Sequence, residues 1–398
     1  MSNDKVTNPY YTFGVLYKSE NFTNWENNQS IKFKAYRKAW VDRVYESDPG
    51  KFPLNLNIEA TTRCNLECTF CTHSSLEDDQ VGDIDFESSK RIIDEAEKYG
   101  GLPTININGL GEPLLRKDLP ELIRYAKEHG VQDVMFHTNA TIMTEELAIR
   151  LIDAGLDRIV FSVDSPDKST YENMRILKSS YDKYKDVEGA TLQGTSWDKT
   201  VRNVNQFIET RNKMGLKAPI VRVTMVVTDS TVYQVQDFIN LWKPVVDHIT
   251  VQDLTWRTKL LNNGTWENKE SSALPTNFDE IRDEAIKRKI PFVCPYLYQS
   301  VYQLYGGGVI PCSNPNARTH MIMGRWDKES MAEVWHGEEY KNIRSLHEKG
   351  QWFKHPICNN CEVALIELYK EMVKKGIKFK SSSSIEKPEI ALVGEDMQ

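Results

Sequence analysis

The chain has 398 residues, enough for one large domain with a smaller companion. It is 40% hydrophobic and 27% charged, as ordinary globular proteins are, and its net charge is −7. The charge argues against a nucleic-acid binder, which would usually be basic. No run of about 18 apolar residues predicts a membrane helix.

The N-terminus, "MSNDKVTNPYYTFG", lacks the basic-then-apolar pattern of an export signal, so a cytoplasmic protein is expected. In that compartment clustered cysteines point to metal or redox chemistry rather than to disulfides. Residues 1–52 read as an extension with one helix, around "FKAYRKAWVDRVYE".

From residue 53 strand-like and helix-like segments alternate. "LNLNIEA" predicts a strand and "DFESSKRIIDEAEKYG" a helix capped by Asp85 and ended by Gly100. "TININ", "DVMFHTNA", "RIVFSVD", "PIVRVTMVV" and "HITVQDL" predict five more strands, and helices are expected between them. Six such units imply an α/β fold with a parallel sheet, too few for a closed eight-stranded barrel. An open, partial (β/α)6 barrel over residues 53–255 is therefore expected, with its chemistry at the C-terminal ends of the strands. A second, smaller domain is expected over 256–374 and a mobile tail over 375–398.

The first strand runs into "RCNLECTFC", with Cys64, Cys68 and Cys71 spaced C-x3-C-x2-C. Seven randomly placed cysteines would give this triple in roughly one chain in a thousand. Three thiolates are one short of the set that closes a structural zinc or an iron–sulfur cluster. A cubane cluster with three protein ligands leaves one iron for an external ligand. Three unrelated buried cysteines, or a zinc borrowing His73, are the bland alternatives.

This loop, with the aromatic Phe70 just before its last cysteine, resembles that of the radical S-adenosylmethionine (SAM) family. The resemblance implies a [4Fe–4S] cluster whose open iron is chelated by SAM, and reductive cleavage of SAM to a 5′-deoxyadenosyl radical. It implies a flavodoxin- or ferredoxin-type reductant as partner. It also implies that "NGLGEP" is the segment that meets the amino group of SAM, through Gly109, Gly111 and Glu112, although Leu110 interrupts the glycine pair. By the same resemblance, Thr138, Asn139, Ser162 and Asp164 at strand ends meet the ribose or carboxylate of SAM. Arg175 stands where relatives bind a carboxylate, and Arg222 either pairs inside the barrel or contacts ligand.

Cys294, Cys312 and the C-x2-C pair Cys358 and Cys361 make a full four-ligand set. Their context, "CPYLYQSVYQLYGGGVIPC" and "HPICNNC", resembles the SPASM or shorter twitch extension of radical SAM enzymes. With no cysteine after Cys361, one auxiliary [4Fe–4S] cluster is expected, the twitch form; structural zinc is the alternative. Three and four account for all seven cysteines, so none is left as a hydrogen donor for an epimerase.

The auxiliary arrangement is similar to that of an enzyme oxidising an alcohol in aminocyclitol antibiotic biosynthesis. Oxidation of a secondary alcohol on a sugar- or cyclitol-like small molecule is thus the expected reaction. The alternatives are epimerisation of a sugar or peptide residue, and carbon–carbon or thioether bond formation on a peptide. Residues 1–50 are short for a leader-recognition domain, which disfavours a ribosomal peptide. A zinc-stabilised binding protein is the non-enzymatic rival. Arg257 and Tyr296 are candidate catalytic residues, and Gln252, Asp253 and Tyr298 are further polar candidates.

Overall fold

The computed structural model describes residues 13–184, 196–228, 230–254, 258–260, 266–268 and 278–379. Its strands, in chain order, are β1 (Phe13–Lys18), β2 (Asn55–Ile58), β3 (Leu66–Cys68), β4 (Thr104–Ile107), β5 (Asp133–Thr138), β6 (Arg158–Ser162), β7 (Arg175–Leu177), β8 (Ile220–Val227), β9 (His248–Asp253), β10 (Thr258–Leu260), β11 (Trp266–Asn268), β12 (Ser300–Gln303), β13 (Gly308–Ile310) and β14 (Gly324–Arg325). Ten of them form one sheet in the order β1-β9-β8-β6-β5-β4-β2-β12-β13-β14. Strands β10 and β11 pair with each other, as do β3 and β7.

The six strands from β2 to β9 in that order are mutually parallel. Helices Phe86–Glu97, Leu119–Glu128, Glu145–Asp153, Ser196–Lys213 and Val235–Trp242 connect them. This is the partial (β/α)6 barrel that the alternation predicts. The local signals act as expected: the Asp85 carboxylate accepts from the Glu87 amide at 3.1 Å, and Gly100 follows the helix at φ +101°.

Period-two alternation sorts the strand side chains. Ile58, Ile107, Phe136, Ile159, Phe161, Val221, Val223 and Ile249 are fully buried. They face the helices, as the edge-to-face contact of Phe161 with Phe207 at 5.6 Å shows. The opposite parity faces the barrel interior and is far more polar: Asn57, Asn106, His137, Arg222, Thr224, His248 and Thr250.

Residues 1–52 contribute more than the single expected helix. β1 pairs antiparallel with β9 and closes that edge of the sheet. Helices Glu20–Asn27 and Ile31–Glu46 follow, N-capped by Ser19 and Ser30. They lie under the N-terminal ends of the strands. The Phe22 ring lies 4.8 Å from that of His248, tilted at 45°, and the Tyr36 hydroxyl donates to Asp133 at 2.8 Å. Asp133 is also held by Arg158 at 2.8 Å. One six-residue strand with no strong turn around it carries little sequence signal, so β1 was not foreseen.

After residue 278 the chain returns to the same sheet. β12 pairs in parallel with β2, and β13 and β14 extend the sheet from it. Gln303 is fully buried and exchanges hydrogen bonds with Ser88 and Ser89 of the helix Phe86–Glu97, at 2.9 and 2.8 Å. Residues 380–398, most of the expected tail, lie outside the described residues. Among the described residues no helix is long and apolar enough to cross a membrane.

Candidate active site

The loop after β2 carries Cys64, Cys68 and Cys71. Cys68 ends β3 and sits opposite Arg175 in the β3–β7 ladder. The loop closes on itself: the Cys71 amide donates to the Cys68 carbonyl at 3.1 Å, and the Leu66 and His73 amides point at the sulfurs of Cys64 and Cys71. Burial pushes the Cys64 thiol up to about 11 and raises Cys68 and Cys71 as well. The Arg175 guanidinium opposes that rise at all three. It also lies 5.7 Å from the Phe70 ring centre.

Arg175 is itself held by Asp164, which is fully buried and pairs with its Nε. The other Asp164 oxygen accepts from the Val226 amide at 2.8 Å. The structure thus brings Asp164 and Arg175 together beside the cysteines. Ser162 ends β6 on the inner face, half-buried, across from Thr224.

The turn after β4 is pressed against the lead-in to the cysteine loop. A Cβ on Gly111 would stand 2.3 Å from the Thr61 carbonyl oxygen, and one on Gly109 would meet Glu59. Glu112 is 2% exposed, and its carboxylate accepts from the Thr138 hydroxyl at 2.7 Å and from the Asn139 and Leu114 amides. Burial raises its pKa and these donors lower it. Its bonds therefore tie the end of β5 to the turn. Asn139 in turn donates to Asn65, between the cysteines, at 2.9 Å. Asn65 was not singled out in the sequence, although its place inside "CNLEC" was a signal.

Arg222 lies deeper, in the middle of β8, in an inner row with His137, Val160 and His248. Burial, and then Arg222, pull the His137 pKa down to about 3 and depress His248 too. The polar atoms Asn106 Oδ1, His248 Nε2 and Thr250 Oγ1 are buried on this inner surface with no hydrogen-bond partner among the described residues. Such atoms need water or a ligand.

Cys294, Cys312, Cys358 and Cys361 come together around one cavity, also lined by Phe292, Tyr296, Pro311, Met321 and His347. Burial pushes Cys312 up to about 11 and Cys361 up to about 12, and it raises Cys294 and Cys358. Tyr296 therefore lines this second site, whereas Tyr298 points its hydroxyl to Glu348 at 2.8 Å. Gln252 and Asp253 end β9. Arg257 lies outside the described residues.

Between the two sites stands Glu59, 2% exposed, at the end of β2. Its carboxylate pairs with Arg318 and accepts from the amides of Tyr305, at 3.0 Å, and Leu110, at 3.4 Å. Glu59 and Arg318 are 259 residues apart, which hid the pair from sequence reasoning.

Among the described residues no group of three His, Cys, Asp or Glu side chains closes on a single ion. Four thiols ringing one largely apolar cavity fit a larger, polynuclear group. Three half-buried thiols beside one arginine fit a group with an open ligand position. The family description "Radical SAM superfamily" matches residues 58–187, and that of the SPASM "Iron-sulfur cluster-binding domain" matches residues 294–362.

The chain is a radical SAM protein with a SPASM-type domain.

Its cofactors are accordingly SAM and [4Fe–4S] clusters, one that binds SAM and one auxiliary. The radical SAM chain is 25% identical over 331 residues to the tungsten-containing aldehyde ferredoxin oxidoreductase cofactor-modifying protein of Pyrococcus furiosus. That match covers 77% of this chain and 87% of the relative. It is 32% identical over 160 residues to Fe-coproporphyrin III synthase of Methanosarcina barkeri, covering 40% of this chain and 35% of the relative. Among solved structures it resembles anSMEcpe with bound AdoMet, with a TM-score of 0.54 and 16% identity over 81% of this chain and 96% of that one. Streptococcus suis SuiB bound to its precursor peptide SuiA also has a TM-score of 0.54, with 17% identity over 78% and 70%. These two likenesses support the fold.

Proposed function

We propose that this radical SAM protein is an oxidoreductase that takes two electrons from a secondary alcohol on a sugar- or cyclitol-like molecule. In this reading Cys64, Cys68 and Cys71 hold the cluster that binds SAM, beside Phe70. Gly109, Gly111, Glu112, Thr138, Asn139, Ser162, Asp164 and Arg175 shape the seat of SAM, and Cys294, Cys312, Cys358 and Cys361 hold the auxiliary cluster. Bound there, the cofactors supply a hydrogen-abstracting radical and an acceptor for one further electron.

The observation that carries the reading is the division of all seven cysteines into two separate sets. No thiol remains to return a hydrogen atom to a substrate radical, so loss of an electron and a proton is favoured over epimerisation. The inner face supports a compact hydroxylated substrate, because Asn106, His248 and Thr250 hold buried polar atoms there that have no hydrogen-bond partner among the described residues. The helices Glu20–Asn27 and Ile31–Glu46 cover the far end of that space. Arg175, fixed by Asp164, orients a carboxylate at the mouth. Tyr296 and Arg257 are assigned the substrate hydroxyl and its proton. A flavodoxin- or ferredoxin-type partner supplies reducing equivalents.

A second reading, modification of another enzyme's cofactor, draws on the Pyrococcus furiosus relative, whose length is 87% covered. The oxidation reading meets a direct test. Anaerobically reconstituted protein is given SAM, a reductant and a panel of sugars and cyclitols in heavy water. The expected product is a carbonyl compound lacking two hydrogens, formed with 5′-deoxyadenosine. A product of unchanged mass apart from one solvent deuterium would overturn the oxidation in favour of epimerisation.

A further inference from the structure

The cavity of the four C-terminal cysteines has one wall residue that the reading above leaves unused. His347 lies on the helix Glu338–Glu348 and is 1% exposed. Its Nε2 is 3.5 Å from the Cys358 sulfur, within hydrogen-bond range for sulfur. Its Nδ1 is 3.3 Å from the backbone amide nitrogen of Cys294 and 3.0 Å from the Phe292 carbonyl oxygen. The imidazole thus stands between the first cysteine of the set and the first of the closing C-x2-C pair.

The chemistry of a metal-bound cysteine fixes the direction of the Cys358 contact. A ligating sulfur is a thiolate and carries no proton. A hydrogen bond between Nε2 and that sulfur therefore requires the proton on nitrogen. In the neutral ring this leaves Nδ1 as a lone pair, which can accept from the Cys294 amide. This tautomer satisfies the Cys358 and Cys294 contacts and sets the Nδ1 lone pair against the Phe292 carbonyl oxygen. The opposite tautomer would satisfy only the Phe292 contact, turning its Nε2 lone pair on the thiolate and its Nδ1–H on the Cys294 amide. Beside a thiolate the first is preferred, with no net charge on the ring.

We infer that His347 is a positioning residue for the auxiliary cluster: its Nε2–H donates to the Cys358 thiolate while its Nδ1 holds the Cys294 backbone, and this raises the cluster's reduction potential. The physical basis is charge. One-electron reduction adds a negative charge to the cluster and its sulfurs, and a donor aimed at a ligating sulfur stabilises the more negative state. The site is largely apolar and buried, so the effect is not diluted by water. An acceptor of higher potential suits a site that must take an electron from a substrate radical. The inference rests on the reading of the four-cysteine set as a cluster site.

The test uses full-length protein in which Cys64, Cys68 and Cys71 are replaced by alanine, so that only the auxiliary cluster is observed. Iron is counted, and the midpoint potential is read by redox titration followed by electron paramagnetic resonance. His347→Leu removes the donor and should make the cluster about tenfold harder to reduce, a shift of about 59 mV to lower potential for one electron. His347→Gln keeps an N–H donor and should recover most of that shift. Equal potentials in the parent and the leucine variant, with about four irons in each, would overturn the inference. If the leucine variant holds no iron, the glutamine variant decides: a loaded cluster near the parent potential supports the role, and loss of iron from both overturns tuning in favour of assembly. Absence of iron from the parent itself, with His347 intact, would instead sink the cluster reading.

Discussion

Gly111 shows how narrowly single residues position the site. Its missing side chain lets the turn after β4 pass over the Thr61 and Arg63 carbonyls, where a Cβ would stand 2.3 and 2.6 Å from their oxygens. Both obstacles are backbone and cannot swing aside. Gly111→Ala should cost about 1–3 kcal/mol of local strain. It should displace Glu112, whose amide donates to Arg63 at 2.9 Å. Binding of SAM is expected to weaken by about tenfold or more, while the iron held by the C-terminal set stays unchanged; isothermal titration with SAM and an iron assay check both halves. The cysteines were legible because their spacing is local and rare by chance. His347 was not, because one histidine on a charged helix has no spacing to give it away.

At the scale of elements, the six parallel strands were readable because each is a short apolar run followed by a helix with an amphipathic face. β1 escaped because its identity as a strand depends on β9, far along the chain. β12 and β13 form the hairpin that "CPYLYQSVYQLYGGGVIPC" suggests, and what escaped there is the long-range pairing of β12 with β2. The same long-range logic governs Glu59, which joins the end of β2, the glycine turn, the hairpin at Tyr305 and the helix bearing Arg318. Arg318 is 15% exposed at its side chain and Glu59 only 2%, so the pair is largely out of water. Breaking such a pair from one side leaves a charge buried without its counter-ion, at about 3–5 kcal/mol. Glu59→Gln should therefore lower stability by about that amount, measured by chemical denaturation of the loaded protein. Arg318→Met together with Glu59→Gln should be less harmful than the sum of the two single changes. Strict additivity in that cycle would show that the two residues do not act as a pair.

At the scale of the whole molecule, one sheet borders both cysteine sets, and the strand at their junction is β2. Its far edge is covered by β12, with Asn57 donating to the Val301 carbonyl at 3.1 Å across that line. Those two residues are 244 apart in sequence. During translation β2 leaves the ribosome long before its neighbour exists. At about 5–20 residues per second the delay is roughly 10–50 s. Over that interval the nascent chain presents an open edge of apolar parallel sheet, the kind of template on which chains associate. A chain ended after residue 290 makes that exposure permanent. It should sediment as aggregate where the full-length protein stays dispersed, and a stop placed after residue 379 should not have this effect. Synthesis of this protein thus carries a timed hazard, set by how late the covering strand arrives.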